Sequence, residues 1–185
     1  MAELLVWNLQ WVLLPTAVAG VLHMLVVRGG ILNQLAQPIW LSGFGPNKTW
    51  RGVLVMTALA SLLTWVQALL WQPSLPVNPL FWGAGLGLLY VLAELPNSLV
   101  KRRLGIASGT QSARFPWLSA AIDKLDSALL GALVLALWIP GSESEFGFHQ
   151  SYGFWTVASL SLAANSGIHA LLSWILVAFH IKRRF

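Results

Sequence analysis

The sequence predicts an all-α integral membrane protein with about five transmembrane helices, an N-terminus outside the cell and a C-terminus in the cytoplasm. Of its 185 residues, 57% are hydrophobic and only 9% are charged, whereas soluble domains carry about 25% charged residues. The uncharged runs 4–27 and 52–71 are each long enough to cross roughly 30 Å of hydrocarbon as a helix. The basic residues fall in alternate loops, and this pattern predicts the orientation.

A single polytopic membrane domain over residues 1–185 accounts for the hydrophobic pattern. The expected spans are 4–27, 52–71, 79–97, 122–140 and 154–180. Pro15 falls inside the first span, where a membrane helix tolerates proline if neighbouring helices satisfy the freed carbonyl group. Segment 29–47 is only moderately apolar and is interrupted by glycine and proline. We therefore expect it to be a re-entrant or interfacial segment rather than a sixth span.

The distribution of Lys and Arg between loops predicts the topology. Cytoplasmic loops of membrane proteins carry an excess of these residues. With five spans, all 11 basic residues fall in the first loop, the third loop or the C-terminal tail, and none falls on the opposite face. This asymmetry predicts a multi-pass protein of the inner, cytoplasmic membrane whose polar site faces the cytoplasm.

Two aspartates, Asp123 and Asp126, form the sharpest local motif. Residues three apart share one helix face, and Mg²⁺ typically takes one or two carboxylates together with substrate phosphates. The alternative is that both carboxylates form ion pairs with Lys101, Arg102 or Lys124. The spacing alone leaves the metal site and the ion pairs open, whereas the absence of cysteine excludes a thiolate metal site.

A second polar group ends the third expected span. Lys101 and Arg102 follow Ser98 and Glu94 by about one and two helical turns, and such a face could bind phosphate by charge and by the fork geometry of arginine. A Lys/Arg cluster at a helix end is otherwise an anchor for anionic lipid headgroups. That second interpretation accounts for Arg103.

A third polar group precedes the second span. Lys48 and Thr49 follow a glycine-containing loop, but the sequence does not match the P-loop pattern Gly-x4-Gly-Lys-Ser/Thr. Because the span begins at Gly52, backbone amides at the start of that helix could still bind an anion.

The remaining motifs have structural interpretations. Gly83 and Gly87 have GxxxG spacing, which is typical of close helix packing and permits a homodimer without requiring one. We expect His23 and His180 to be packing or interfacial residues, whereas His169 lies within the last span.

Taken together, these motifs resemble the CDP-archaeol synthase family, which is related to the CDP-diacylglycerol synthases. The resemblance runs in register from about residue 43 to residue 131. It is carried by Gly45, Lys48, Thr49, Trp50, Arg51, Gly52, Ser98, Lys101, Arg102, Arg103, Leu104, Gly105, Pro116, Asp123 and Asp126. The chain departs from the family pattern at Glu94, where aspartate is usual, and at Lys124, where glutamine is frequent. It also departs at Ser173, because the family tends to have asparagine four residues after the histidine that matches His169.

The resemblance implies a CTP:lipid-phosphate cytidylyltransferase that acts on phosphatidic acid or an ether-lipid analogue and releases pyrophosphate. It implies Mg²⁺ bound by Asp123, Asp126 and Glu94, with Lys101 joining the two aspartates in catalysis. The substrate-binding residues would be Lys48, Thr49, Arg51, Asn97, Ser98, Arg102 and His169. The implied partners are CTP, the lipid phosphate and membrane lipids, without nucleic acid.

Two other classes of protein compete with this interpretation. One is a different lipid-phosphate enzyme, such as a CDP-alcohol phosphotransferase or a phosphatase, although the aspartate-rich signature of the former is absent. The other is a non-catalytic transporter or assembly subunit in which the carboxylates form structural ion pairs.

Overall fold

The computed structural model describes residues 6–71, 75, 77–110, 112 and 154–178. The helices in this part of the chain are α1 (Val6–Arg28), α2 (Leu41–Phe44), α3 (Trp50–Trp71), α4 (Pro79–Arg103) and α5 (Phe154–Ala178). A π-helical segment, Leu9–Leu13, lies within α1, and a 3-10 turn, Asn33–Leu35, precedes α2. These residues contain no β-strand, only an isolated bridge between Pro38 and Thr49, so the predicted all-α class is confirmed for the described part.

Three of these helices, α1, α3 and α4, are long and apolar enough to cross a membrane. Large apolar side chains remain exposed on the surface of α3, namely Leu54, Leu62, Trp65, Val66, Leu69 and Leu70. Soluble monomers rarely expose extended apolar patches, whereas lipid tails solvate such a surface. The expected span 122–140 lies outside the described residues, and the number of crossings and the orientation stay predictions.

Helix α4 extends beyond the expected span 79–97 and passes through Pro96 to Arg103. At its start, the Asn78 side chain accepts a hydrogen bond from the backbone N–H of Leu80 at 2.9 Å. At its end, Gly105 adopts a φ of +71°, and the N–H of Ile106 donates to the carbonyl of residue 101 at 2.9 Å. This is a Schellman cap. The basic residues 101–103 therefore form the last helical turn, where cations favour the helix dipole.

Helices α3 and α4 pack closely because two glycines of α4 face α3. A Cβ atom on Gly83 would lie 2.4 Å from the carbonyl oxygen of Ala60, and one on Gly87 would lie 2.6 Å from that of Met56. Both distances are shorter than real Cβ contacts allow. The close packing predicted from the GxxxG spacing is confirmed. It occurs within the chain, so this glycine face is not available to a second copy.

The helix directions bring the basic residues to one end of the bundle. Residue 10 of α1 contacts residue 67 of α3, and His23 lies beside Gly52, so α1 and α3 are antiparallel. The glycine contacts of α4 make it antiparallel to α3 as well. Among the described residues, every Lys and Arg lies at this shared basic end: Arg28, Lys48, Arg51, Lys101, Arg102 and Arg103.

Neighbouring helices compensate for Pro15, as expected for a proline inside a membrane helix. Because proline has no N–H, the carbonyls of Gln10 and Trp11 lose the donor that π and α spacing would otherwise supply. The indole Nε1 of Trp82 donates to the Trp11 carbonyl at 2.9 Å, and the Gln67 amide donates to the Gln10 carbonyl at 2.6 Å. The proline thus ties α1 to both α3 and α4.

We expect Trp82→Phe to lower the free energy of unfolding by about 1 kcal/mol, because the Trp11 carbonyl loses its donor in an apolar environment. Thermal unfolding in detergent measures this change. The matched background is Pro15→Ala, in which the α1 backbone regains an N–H and the cost of Trp82→Phe should shrink. If Trp82→Phe lowers the free energy of unfolding as much in the Pro15→Ala background, Trp82 stabilises the protein through its edge-on ring contact with Trp7, at 5.8 Å between centroids.

Candidate functional site

An ion pair between Lys48 and Glu94 marks the polar site at the basic end. It joins the loop that precedes α3 to the second half of α4, although the two residues lie 46 positions apart. Both side chains are partly buried, with 24% and 27% of their surface exposed. A carboxylate at membrane depth is costly unless it is paired, and this lysine supplies the pairing charge.

Lys48 is held in place by a closed loop. The N–H of Ile39 donates to the Lys48 carbonyl at 2.9 Å, and the N–H of Trp50 donates to the Gln37 carbonyl at 3.0 Å. The short helix α2 is folded between these two bonds. The segment expected to be re-entrant or interfacial is thus a compact loop whose ends meet at the start of α3, and its depth in the membrane stays a prediction.

Arg51 connects the first part of segment 29–47 to α3. Its side chain is 8% exposed, and Nη1 donates to Asn33 Oδ1 at 2.7 Å and to the Ile31 carbonyl at 3.3 Å. Its neighbour Thr49 caps α3, since Oγ1 accepts a hydrogen bond from the N–H of Gly52 at 3.3 Å. Both residues were expected to bind substrate, and the structure gives each of them a local role that positions the site.

Four predicted site residues form one face of α4. Glu94, Asn97, Ser98 and Lys101 follow the i, i+3, i+4, i+7 spacing that places residues on the same side of a helix. The Ser98 hydroxyl donates to the Glu94 carbonyl at 2.9 Å, so this hydroxyl is directed back to its own helix. The polar face leads from the Lys48–Glu94 pair toward the basic end.

Arg102 lies between two loops. A Cβ atom on Gly45 would lie 3.0 Å from Ser108 Oγ and 3.5 Å from Arg102 Cδ, so the loops before α3 and after α4 meet around this arginine. Gly45 has a φ of +83°, which glycine adopts without strain. The Nε of Arg102 is buried and has no hydrogen-bond partner among the described residues. A buried donor without an acceptor is unfavourable, and a bound anion would supply one.

The structure adds His23, which the sequence assigned to packing or to the interface. A Cβ atom on Gly52 would lie 3.6 Å from His23 Nε2 and 3.8 Å from Thr49 Oγ1. The imidazole is also close enough to interact electrostatically with Glu94 and Lys48. The sequence indicates His23 in one way: it is an ionisable residue inside the otherwise uncharged expected span 4–27.

Three predicted site residues cannot be placed in this cluster. Asp123 and Asp126 lie outside the described residues, and His169 belongs to α5 with its side chain outside the described part. Within that part, no group of three His, Cys, Asp or Glu side chains could hold a metal. Of the expected Mg²⁺ ligands, the structure describes only Glu94, whose carboxylate faces Lys48. The described residues by themselves do not form a magnesium site.

Electrostatically, the described site is suited to anions. Among the described residues, Glu94 is the one carboxylate. It pairs with Lys48, and Arg51, Lys101 and Arg102 lie at the same end of the bundle. The chain matches no protein-family model, no curated protein and no solved structure. The functional feature of the described residues is therefore an excess of positive charge at the end of three membrane-length helices.

Proposed function

We propose that the protein is a CTP-dependent cytidylyltransferase of the CDP-archaeol or CDP-diacylglycerol synthase type. It would convert a membrane lipid phosphate, either phosphatidic acid or an ether-lipid analogue, to a CDP-lipid. The observation that carries this proposal is the buried Arg102 Nε, for which the described part of the chain offers no hydrogen-bond partner. It lies with other cations at one end of an apolar helix bundle. The motif resemblance over residues 43–131 supports the same reaction.

In this reaction an oxygen of the lipid phosphate attacks the α-phosphorus of CTP. A new P–O bond forms, the bond from the α-phosphorus to the bridging oxygen breaks, and pyrophosphate leaves with that electron pair. Because the lipid phosphate is already a charged nucleophile at neutral pH, the site needs no serine or cysteine nucleophile. Its task is to neutralise phosphate charge and to align the two reactants.

We assign each described residue a part in this task. Lys48, Lys101 and Arg102 bind phosphate oxygens, and Glu94 holds the Lys48 ammonium between the loop and α4. Arg51 and Thr49 keep the loop and the start of α3 in position. Asn97, Ser98 and His169 keep the substrate-binding role implied by the resemblance.

In this proposal Mg²⁺ accompanies the nucleotide. Asp123 and Asp126 would hold it together with Glu94. The ion would supply neutralisation of the triphosphate charge. The basic end would lie at the inner leaflet of the cytoplasmic membrane, since CTP arrives from the cytoplasm, the lipid stays in the bilayer, and positive loops favour that side.

The test is an assay of purified protein in detergent with labelled CTP, Mg²⁺ and either phosphatidic acid or its ether analogue. We expect a CDP-lipid product, and we expect Asp123→Asn to reduce its rate by at least roughly 100-fold, since metal-ion neutralisation supplies several kcal/mol. Glu143→Gln, which removes a carboxylate predicted on the opposite face, should retain the rate.

Two results would contradict the proposal. Folded wild-type protein that makes no product from either lipid would exclude this reaction. An Asp123→Asn protein that keeps its rate and loses thermal stability would support the alternative in which the aspartates form structural ion pairs.

A further inference from the structure

Segment 29–47 contains no charged residue, and it exposes four large apolar side chains. They are Ile31, Leu32, Trp40 and Leu41, of which Leu41 is 63% exposed. Exposed apolar side chains that gather in one part of a surface mark contact with a partner or a membrane. The segment therefore has a surface that is suited to an apolar medium.

Leu32 is exposed at a double cost. Its φ is +57°, a left-handed conformation that is strained for a residue with a side chain, and 51% of its surface is exposed. Arg51 holds this conformation, because its Nη1 donates to the Ile31 carbonyl and to Asn33 Oδ1, on either side of Leu32. Water would reward neither the strain nor the exposure, whereas lipid tails would solvate the outward leucine.

Trp40 is half exposed, and its ring is held in one position. A Cβ atom on Gly43 would collide with the Trp40 ring, and the ring meets that of Phe44 edge-on at 5.4 Å between centroids. The ring therefore packs on the short helix α2 and leaves 48% of the residue exposed, next to Leu41. Tryptophan is enriched where membrane proteins meet the headgroups, because its ring is amphipathic.

The segment connects two helices that are long and apolar enough to cross a membrane, α1 and α3. Exposed apolar side chains continue onto both of them: Leu25 and Val27 at the end of α1, and Trp50 and Leu54 at the start of α3. Arg28, between α1 and the segment, is exposed as well, and its charge suits the headgroups of anionic lipids. The apolar surface of the segment is thus continuous with the lipid-facing surface of the helices.

The local structure limits how deeply the segment can enter the bilayer. Its regular elements are a 3-10 turn of three residues and a helix of four residues, and that helix is roughly 6 Å long. A re-entrant hairpin must satisfy its backbone groups away from water, which such short elements do not achieve. The polar side chains of Gln34 and Gln37 are exposed in the same segment. This combination favours the interface, where apolar and polar groups are both solvated.

We propose that segment 29–47 is an interfacial lipid-binding surface in the leaflet at the basic end. Leu32 and Leu41 lie among the outer parts of the acyl chains, Trp40 lies at the level of the headgroups, and Arg28 faces the headgroup phosphates. The occupant of this surface is the bilayer itself. The inference is independent of the proposed reaction.

Nitroxide spin labels measure this depth. The chain has no cysteine, so Leu32→Cys and Leu41→Cys each provide a single labelling site in protein reconstituted into liposomes of phosphatidylcholine and phosphatidylglycerol. Collisions of the label with oxygen, which concentrates among acyl chains, are compared with collisions with a water-soluble nickel complex. We expect both labels to lie about 5–10 Å into the boundary between headgroups and acyl chains.

Two further positions calibrate the result. Leu62→Cys, on the exposed apolar surface of α3, should place its label deeper than either loop position. Thr110→Cys, at an exposed residue after α4, should collide mainly with the nickel complex. Loop labels as accessible to nickel as the label at 110 would overturn the proposal. Loop labels as deep as the label at 62 would overturn it in favour of a re-entrant segment.

A second substitution tests how Leu32 is presented to the bilayer. Asn33→Ala removes one of the two acceptors that Arg51 uses beside Leu32. We expect the label at position 32 to become more mobile and more accessible to nickel in this background, and the label at position 41 to keep its depth. An unchanged spectrum at position 32 would contradict the role of Arg51 in this surface.

Discussion

Gly83→Ala should destabilise the protein by about 2–3 kcal/mol, the upper part of the range for overpacked interiors. The added Cβ atom would meet the Ala60 carbonyl at 2.4 Å and Thr64 Oγ1 at 2.6 Å. The first of these is a backbone atom, so no side-chain rotation can relieve the contact. Helices α3 and α4 must then separate, and contacts along their whole interface weaken. Gly87→Ala should act in the same way, because its Cβ atom would lie 2.6 Å from the Met56 carbonyl.

Gly85 supplies the matched control on the same helix. A Cβ atom at this position would have nothing within 4 Å, and alanine favours a helix over glycine by up to about 1 kcal/mol. Gly85→Ala should therefore leave stability unchanged or raise it. Thermal unfolding of the three variants in one detergent measures the difference. Equal effects at positions 83 and 85 would contradict the packing described for α3 and α4.

Lys48→Met should reduce CDP-lipid formation by roughly 10- to 100-fold, the equivalent of one or two charge-assisted hydrogen bonds to phosphate. It should also lower the free energy of unfolding by about 1–3 kcal/mol, because Glu94 loses its lysine counter-ion in a partly buried place. The ion pair alone would explain a loss of stability. A loss of activity that persists after stability is restored requires Lys48 to contact substrate.

The double variant Lys48→Met, Glu94→Gln separates these two effects. It removes both charges, so we expect most of the stability to return, as measured by a double-mutant cycle. Activity should stay low because the phosphate-binding cation is still missing. Arg28→Met is the control, since it removes an exposed cation from the same end of the bundle without touching the pair. Recovery of activity in the double variant would assign Lys48 a purely structural role.

The membrane class follows from local properties of the chain. The apolar stretches that predict spans at 4–27, 52–71 and 79–97 coincide with helices Val6–Arg28, Trp50–Trp71 and Pro79–Arg103, because helix hydrogen bonds and lipid contact depend on each segment separately. Helix α4 continues past the end of the expected span 79–97 to Arg103, since Pro96 does not stop a helix whose freed groups can be satisfied by neighbours.

The candidate site was only partly predictable. The polar residues on α4 could be grouped from helical spacing, but the partner of Glu94 could not, since Lys48 lies 46 residues earlier. Arg51 and Thr49 carry groups that suit a phosphate. Whether such a group faces substrate or its own loop depends on the path of the backbone, which spacing does not reveal.

Hydrophobicity and charge act residue by residue, so the sequence alone predicts a helical membrane protein with its positive charge in alternate loops, and the structure has three helices long and apolar enough to cross a membrane. Which of these charges come into contact depends on how the helices pack. The tertiary structure directed the Gly83 face to α3 rather than to a second copy, paired Lys48 with Glu94 and brought His23 to Gly52. These are contacts between helices, and they depend on packing and direction that no single segment encodes.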